Sequence, residues 1–557
     1  MSDLLNSASL VMIPSGYKED TVFSQIPTDG SGDLSFTRAS NGTRINSAGL
    51  VEVCPWNLAQ YSEDFSNAVW QATSGGTGSN PGVTANDTTA PNGTTTADKI
   101  VFNTGAGTSA TDQSIIYQNI STQPAGIYTL SIYAKVASGT AKILARHATG
   151  GSYTTLNLTT DWQRFEIVET NPIDQVITLQ LGLRRGLANE PLTSPVTCFL
   201  WGAQLNIGST AKPYFPTTDR LNVPRLTYQN GGGGCPSLLL EKQSTNFQTY
   251  SQDFTNVAWT KLGQGVGDTS VVTANYAISP DGTQNATRFV CNLNGGTTSS
   301  DRSWMIASFT AQATSTISIW IKLNSAGTKT VLLSDSGGGT KTISGTDWQR
   351  IDATFVGAGG EFRIGLIGGS TSDTLDCCIW GAQAEAGTYP TSYIPTTSAS
   401  ATRVADACYK TGISSLIGQT EGVMFIDLIA SSYNADGTSY SLLATLSESS
   451  TNFQLYTNNS LLRYYISASG TEDASTGITL INGGRYKIAL AYKGGSSAVF
   501  VNGSLTNTST KSVMPTAENF YLNQYMDGSL KSSNSFNQAI LFPTRLTNAE
   551  LASLTTI

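Results

Sequence analysis

The sequence predicts an all-β protein in which one domain occurs twice and a different one follows. Three observations lead there. The segment from Asn57 to Trp70 returns from Asn246 to Trp259, with seven of fourteen positions identical. Apolar residues come in short alternating runs broken by Gly, Asn and Asp, the period-2 pattern of strands. A 3.6-residue apolar period is missing until the last dozen residues.

The elements follow in order. Residues 1–56 are short and glycine-rich, too little to bury a core alone. They need another chain or a neighbouring domain to be ordered. Residues 57–220 form the first repeat, residues 221–245 a connector and residues 246–400 the second repeat. Inside the repeats Asp161-Trp-Gln-Arg164 matches Asp347-Trp-Gln-Arg350, and Trp201-Gly-Ala-Gln204 matches Trp380-Gly-Ala-Gln383. The offset between copies falls from 189 residues at Asn57 to 179 at Trp201, so insertions lie between the matched blocks, where surface loops tolerate them. The connector ends in the partly apolar run Cys235 to Asn246, which should pack. Residues 401–557 show no third copy. Strands are expected at Val423–Ile429, Ser441–Leu446, Phe453–Tyr456, Leu462–Ile466, Tyr486–Tyr492 and Ala498–Val501. Asn502-Gly503 reads as a two-residue hairpin turn. A short helix near Leu546–Leu554 has Thr547 or Asn548 to cap it.

Composition narrows the function. The net charge is −8, only 13% of residues are charged, and no Lys/Arg run exists. A nucleic-acid partner is not expected. No stretch is long and apolar enough to span a membrane, and Met1 to Asn6 lacks the basic start of a secretory leader. The seven cysteines include no CxxC pair and read as buried free thiols. Cys377 and Cys378 should point to opposite faces of one strand.

Catalytic signals are sparse. The single histidine, His147, has no nucleophile elbow to serve and cannot alone build a histidine-rich zinc site. Asp64 and Asp253 recur, but within turns where an aspartate bonds backbone. Asp33, Asp406 and Asp427 are isolated. No calcium loop or phosphate loop occurs, so no catalytic residue, metal or cofactor is assigned and the chain is expected not to be an enzyme.

The duplication sorts the aromatics. Trp70/Trp259, Trp162/Trp348 and Trp201/Trp380 recur in both copies, as residues of a shared packed scaffold do. Tyr117 and Tyr153 in the first repeat and Trp304 in the second have no counterpart. They are the candidate glycan contacts.

Pro14 to Asp20, Gly32 to Asn46, and the connector from Val223 to Glu241 resemble tailed-bacteriophage fibre proteins, notably head-fibre (head-spike) and tail-fibre proteins of crAss-like and related phages. The region from Gly412 to Leu554 resembles a concanavalin A-like or laminin-G-like sandwich, and the repeats resemble jelly-roll carbohydrate-binding modules. The resemblance implies tandem β-sandwiches with a short extended anchor, and a virion structural protein made in the host cytoplasm. It would project from the capsid as a head fibre and bind glycans weakly. A tail fibre and a virion-borne glycan hydrolase are the alternatives. It implies virion proteins and copies of itself, most simply a trimer, as partners. Tyr17, Phe36, Arg38 and Arg44 are then the expected capsid-anchor residues.

Overall fold

The computed structural model describes all residues except 1, 148–151, 174, 188–192, 229–231, 335–338, 358, 433–439 and 449–450. The regular structure of the described residues is almost all strand, with α-helices at Ser2–Leu5 and Asn548–Thr555 and a short 3-10 helix at Ser414–Leu416. The chain divides into two compact units, residues 55–221 and residues 1–54 with 222–557.

The first unit is a sandwich of two five-stranded antiparallel sheets. One sheet runs Gln71–Gly75, Gln113–Gln123, Gln175–Arg184, Ala141–Arg146, Thr154–Leu158. The other runs Ser79–Thr88, Ala97–Asn103, Val196–Ile207, Gly126–Lys135, Gln163–Asn171. Alternation decides which side chains face in. Along Gln175–Arg184, Ile177, Leu179, Leu181 and Leu183 enter the core, so Gln180 faces out.

The second repeat has the same design. Its sheets run Thr260–Gln264, Arg302–Ser308, Glu361–Ile367, Thr328–Ser334, Thr340–Ser344 and Val271–Ala277, Ala286–Asn292, Thr374–Ala386, Thr314–Leu323, Gln349–Val356. The repeated Trp-Gly pair has a geometric cause. Gly202 and Gly381 both have a φ of +66° at a register shift. A Cβ on Gly381 would lie 2.9 Å from the Trp320 ring, so glycine lets Trp320, Trp380 and Tyr393 close into one aromatic cluster.

The last sandwich is built from three parts of the chain. Its eight-stranded sheet takes in Arg225–Thr227 and Ser237–Leu240 from the connector, then Ser533–Phe542, Glu421–Ser432, Arg485–Lys493, Ser497–Val501 and Ser504–Ser509, with Leu10–Met12 also pairing Ser533–Phe542. Its nine-stranded sheet starts with Tyr17–Lys18, Thr21–Val22 and Leu34–Thr37. Ala407–Lys410, Asn519–Leu522, Tyr440–Glu448, Thr451–Asn458, Leu461–Ala468 and Gly470–Thr479 follow. Of the two neighbours that the size of residues 1–56 calls for, it is thus a domain of the same chain that orders their strands, and ordering only on docking to a capsid, which the resemblance implies, is corrected. Leu10, Met12, Val22, Leu34 and Phe36 are buried in the core of the last sandwich, each contributing about 1.5–3 kcal/mol by transfer from water.

A buried ionic junction locks these parts. Asp406 accepts from Arg38 Nη1 at 3.0 Å, from the Glu241 amide at 2.8 Å and from Arg225. Arg225 also donates to Glu241 at 2.7 Å, and Arg403 lies 3.3 Å from Glu241. Glu241 further accepts from the Ser392 amide and hydroxyl at 2.8 and 2.6 Å. Two buried arginines hold Glu241 down at about 2, against the opposing effect of its burial.

Other expectations resolve locally. All six strands expected beyond residue 420 are present within longer ones, and Asn502 and Gly503 take φ values of 48° and 84°. Thr547 caps Asn548–Thr555 in a reciprocal box with Glu550. The cysteines are free, but Cys235 is exposed rather than buried; its glycine neighbours offer no side chains to cover it. Cys377 faces the core while Cys378 donates to Asn324 at 3.0 Å on the other face.

Candidate functional site

The 189-residue offset of the matched segments and the strand registers make Gln71 equivalent to Thr260, Ile115 to Trp304, and Tyr117 to Ile306. All of these lie on the sheet that begins at Gln71–Gly75 in one repeat and at Thr260–Gln264 in the other. Their side chains alternate with the core residues Ile116 and Met305, so they point outward. Tyr117 and Trp304 therefore lie on the equivalent sheet face, and Tyr153 reaches the same face through its hydroxyl bond to Gln180.

In the first repeat this face carries a polar-aromatic cluster. Gln180 sits directly between Tyr117 and Arg146 in the strand register. Its side-chain oxygen accepts from Arg146 Nε at 2.9 Å and from the Tyr153 hydroxyl. The Arg146 guanidinium lies 4.3 Å from the centre of the Tyr153 ring. Tyr117 and Tyr153 are both half-buried. Among the described residues the Gln180 amide nitrogen donates to no partner. The cluster offers aromatic rings, a free amide donor and a fixed cation around one spot. This is the combination that holds a sugar, with rings under its C–H face and polar groups at its hydroxyls. Below it, Gly182 has a φ of +156°, and a Cβ there would lie 2.2 Å from the Ser114 carbonyl oxygen. That glycine brings the central strands together under the cluster.

In the second repeat Trp304 fills the Ile115 position, beside Gly365 and Leu332 in the register. It is 6% exposed, with the Arg302 and Arg363 guanidiniums 4.6 and 5.7 Å from its ring. Arg363 pairs with Glu361, and Arg302 donates to the Ser299 carbonyl at 2.9 Å. The buried Trp304 Nε1 has no hydrogen-bond partner among the described residues. The two faces thus share a position and differ in chemistry.

The other sequence candidates lie elsewhere. Trp70, Trp259, Trp201 and Trp380 are buried. Trp162 and Trp348 are half-buried, donate to the carbonyls of Thr89 and Ile278 at 3.0 and 3.1 Å, and lie under Lys135 and Lys322. Tyr17, Phe36, Arg38 and Arg44 are engaged inside their own chain. Phe36 is core, Arg38 belongs to the ionic junction, and Arg44 binds Glu52 at 2.9 Å and the Tyr17 hydroxyl at 3.1 Å. His147 is buried, its Nε2 3.2 Å from the Ile167 carbonyl, and burial lowers its pKa. Asp64 and Asp253 accept from the amides of Ser66 and Thr255 at 3.1 and 3.0 Å, as turn aspartates do. Asp427, isolated in sequence, is ion-paired with Arg485 and bonded to Asn537. Sequence reasoning missed Gln180, Arg146, Arg302 and Arg363, because polar residues at alternate strand positions look like any solvent face.

No family model matches the chain, and no curated protein does. Solved structures similar to part of it include the carbohydrate-binding module CBM40 of the Ruminococcus gnavus IT-sialidase bound to α2,3-sialyllactose, at 18% identity over 25% of this chain and 84% of that one, with a TM-score of 0.22. Domain 4 of AbnA, a GH43 extracellular arabinanase from Geobacillus stearothermophilus in complex with arabinotriose, is similar at 13% identity over 30% of this chain and 83% of that one, with a TM-score of 0.23. The binding domain of botulinum neurotoxin serotype G is similar at 8% identity over 27% of this chain and 39% of that one, with a TM-score of 0.24.

Proposed function

We propose that this protein is a non-enzymatic glycan-binding adhesion protein displayed on a bacteriophage particle as a head fibre. The observation that carries the glycan reading is the shared sheet face, where the unduplicated aromatics lie at different positions with different polar neighbours. A duplicated scaffold with diverged contacts on one face is what two binding modules of different specificity require. Single-site binding on such a sheet face would be weak. Many copies on one particle, most simply trimers, would supply avidity. The virion part rests on the fibre-like sequence of Pro14 to Asp20, Gly32 to Asn46 and the connector. Attachment would then use the surface of the last sandwich, because Tyr17, Phe36, Arg38 and Arg44 are engaged internally.

The test is retention of the full chain by immobilised neutral and acidic polysaccharides, with Gln180→Ala and Tyr117→Ala as first-repeat variants. Retention by the parent protein and its loss in these variants, at unchanged melting temperature, is expected. A parent protein that no polysaccharide retains refutes the glycan reading. Immunogold labelling of particles away from the capsid refutes the head-fibre placement.

A further inference from the structure

The charges of the ionic junction do not balance. Arg38, Arg225 and Arg403 are buried there against two carboxylates, Glu241 and Asp406. The neighbouring Arg350 and Glu385 add one charge of each sign. One positive charge is therefore in surplus in the interior. Donors are in surplus as well. Among the described residues Arg38 Nη2, Arg225 Nε and Arg403 Nε have no hydrogen-bond partner, and Arg403 Nη1 lies 3.3 Å from Glu241 without bonding it. A buried cation without a counter-charge is costly, so an anion brought beside it is stabilised.

A cavity of about 270 Å³ lies against this surplus. Arg403 lines it, and so do Ser40, Gly42 and Thr43, whose backbone rests on the other two arginines. The Ser40 carbonyl accepts from Arg38 Nε at 2.8 Å and the Thr43 carbonyl from Arg225 Nη1 at 3.1 Å. A Cβ on Gly42 would come within 3.3 Å of Arg225 Nε. Val53, Ile394 and Ala401 give the cavity apolar walls, and Asn41 and Thr402 line it as exposed polar residues. Arg403 is 1% exposed. Water therefore screens the surplus charge little, and apolar walls focus its field into the cavity. The duplication bears on the size of the occupant. In the first repeat the residue before the duplicated segment is Trp56, whose ring packs at 5.0 Å from that of Phe215. The second repeat has Thr245 and Ile394 at these positions. Ile394 lines the cavity, and Thr245 bonds Thr402, which also lines it. The first copy supplies a ring of its own here and the second does not.

We propose that this cavity is a binding site for one acidic sugar residue, with its carboxylate at the Arg403 end. The C–H groups of its ring would meet the apolar walls, and its hydroxyls Asn41 and Thr402. A neutral sugar leaves the surplus charge unanswered, and a bare anion leaves the apolar walls without a partner. The proposal rests on the glycan-binding reading of the protein but on none of the repeat faces.

The experiment titrates the full chain calorimetrically with galacturonate, glucuronate and N-acetylneuraminate at constant ionic strength. Glucose is the uncharged control. Acetate and N-acetylalanine carry a carboxylate without a sugar ring. Ala401→Phe fills the cavity from a partly exposed position outside the junction. Arg403→Met removes the surplus cation and leaves two arginines facing two carboxylates. Gln180→Ala reports on the first-repeat face. Expected is saturable binding of an acidic sugar, weakened about tenfold or more in Ala401→Phe and in Arg403→Met and unchanged in Gln180→Ala. If Arg403→Met does not fold, Ala401→Phe decides. Equal binding of glucose refutes the role of the charge, and equal binding of acetate or N-acetylalanine refutes the sugar. Binding that Ala401→Phe leaves intact, or that Gln180→Ala abolishes, refutes the cavity. A parent protein that binds none of the three acids refutes the proposal, while polysaccharide retention that depends on Gln180 would still uphold the repeat faces.

Discussion

Asp406→Ala tests whether the ionic junction holds the last sandwich together. The Asp406 side chain is fully buried, as are those of Arg38 and Arg225. Arg225 retains Glu241 when Asp406 is removed, but Arg38 retains only the Ser40 carbonyl as an acceptor for its Nε, at 2.8 Å. One guanidinium is then stranded in the interior. Breaking a buried pair from one side costs about 3–5 kcal/mol, because the remaining charge is uncompensated. Urea unfolding followed by tryptophan fluorescence, with limited proteolysis to place the change in residues 1–54 and 222–557, measures this. Arg38→Met in the Asp406→Ala background removes the stranded charge and leaves an apolar chain of similar length. The double variant should therefore be more stable than Asp406→Ala alone. If the two losses simply add, or if Asp406→Ala costs less than about 1 kcal/mol, charge stranding is not what governs this junction.

Three further outcomes are expected. Glu241 titrates lower in the folded chain, at about 2, than when unfolded. Its contribution is therefore present above the usual carboxylate range and is lost as pH falls from about 4.5 toward 2; Glu241→Gln should flatten this part of the stability–pH curve, and an unchanged curve would count against it. Gly365→Ala forces a Cβ to within 2.5 Å of the Ser303 carbonyl oxygen at a φ of +149°; it should lower the melting temperature and disturb Trp304 fluorescence, with a cost of about 1–3 kcal/mol from backbone strain. Deleting residues 1–54 removes strands from both sheets of the last sandwich, so insoluble protein is expected, whereas a soluble product with native circular dichroism would show that these strands are dispensable.

The repeats were legible because duplication supplies its own alignment, and the hairpin at Asn502-Gly503 and the cap at Thr547 because their signals are local. The route of residues 1–54 was not. Leu10–Met12 is three residues long, and its alternation names a buried face without naming the partner strand near Leu541. The ionic junction was hidden for the same reason, since Arg38, Arg225, Glu241 and Asp406 are scattered along the chain and look isolated. Of the candidate site, the absence of a counterpart singled out Tyr117, Tyr153 and Trp304. It could not show that Gln180 stands opposite Tyr117 in the register and accepts from the Tyr153 hydroxyl.

The pairing of Leu10 with Leu541 also sets a timetable for synthesis. The strand around Leu10 is synthesised 531 residues ahead of Leu541 and, apart from the local bridge of Val11 with Ile26, has no strand to join until then. At about 5–20 residues per second it waits for roughly half a minute to nearly two minutes. The first repeat, complete by residue 221, is free to fold in that interval, while the strand around Leu10 must wait for its sheet without joining another nascent chain. Slowing or crowding translation should therefore harm the last sandwich before it harms the first repeat.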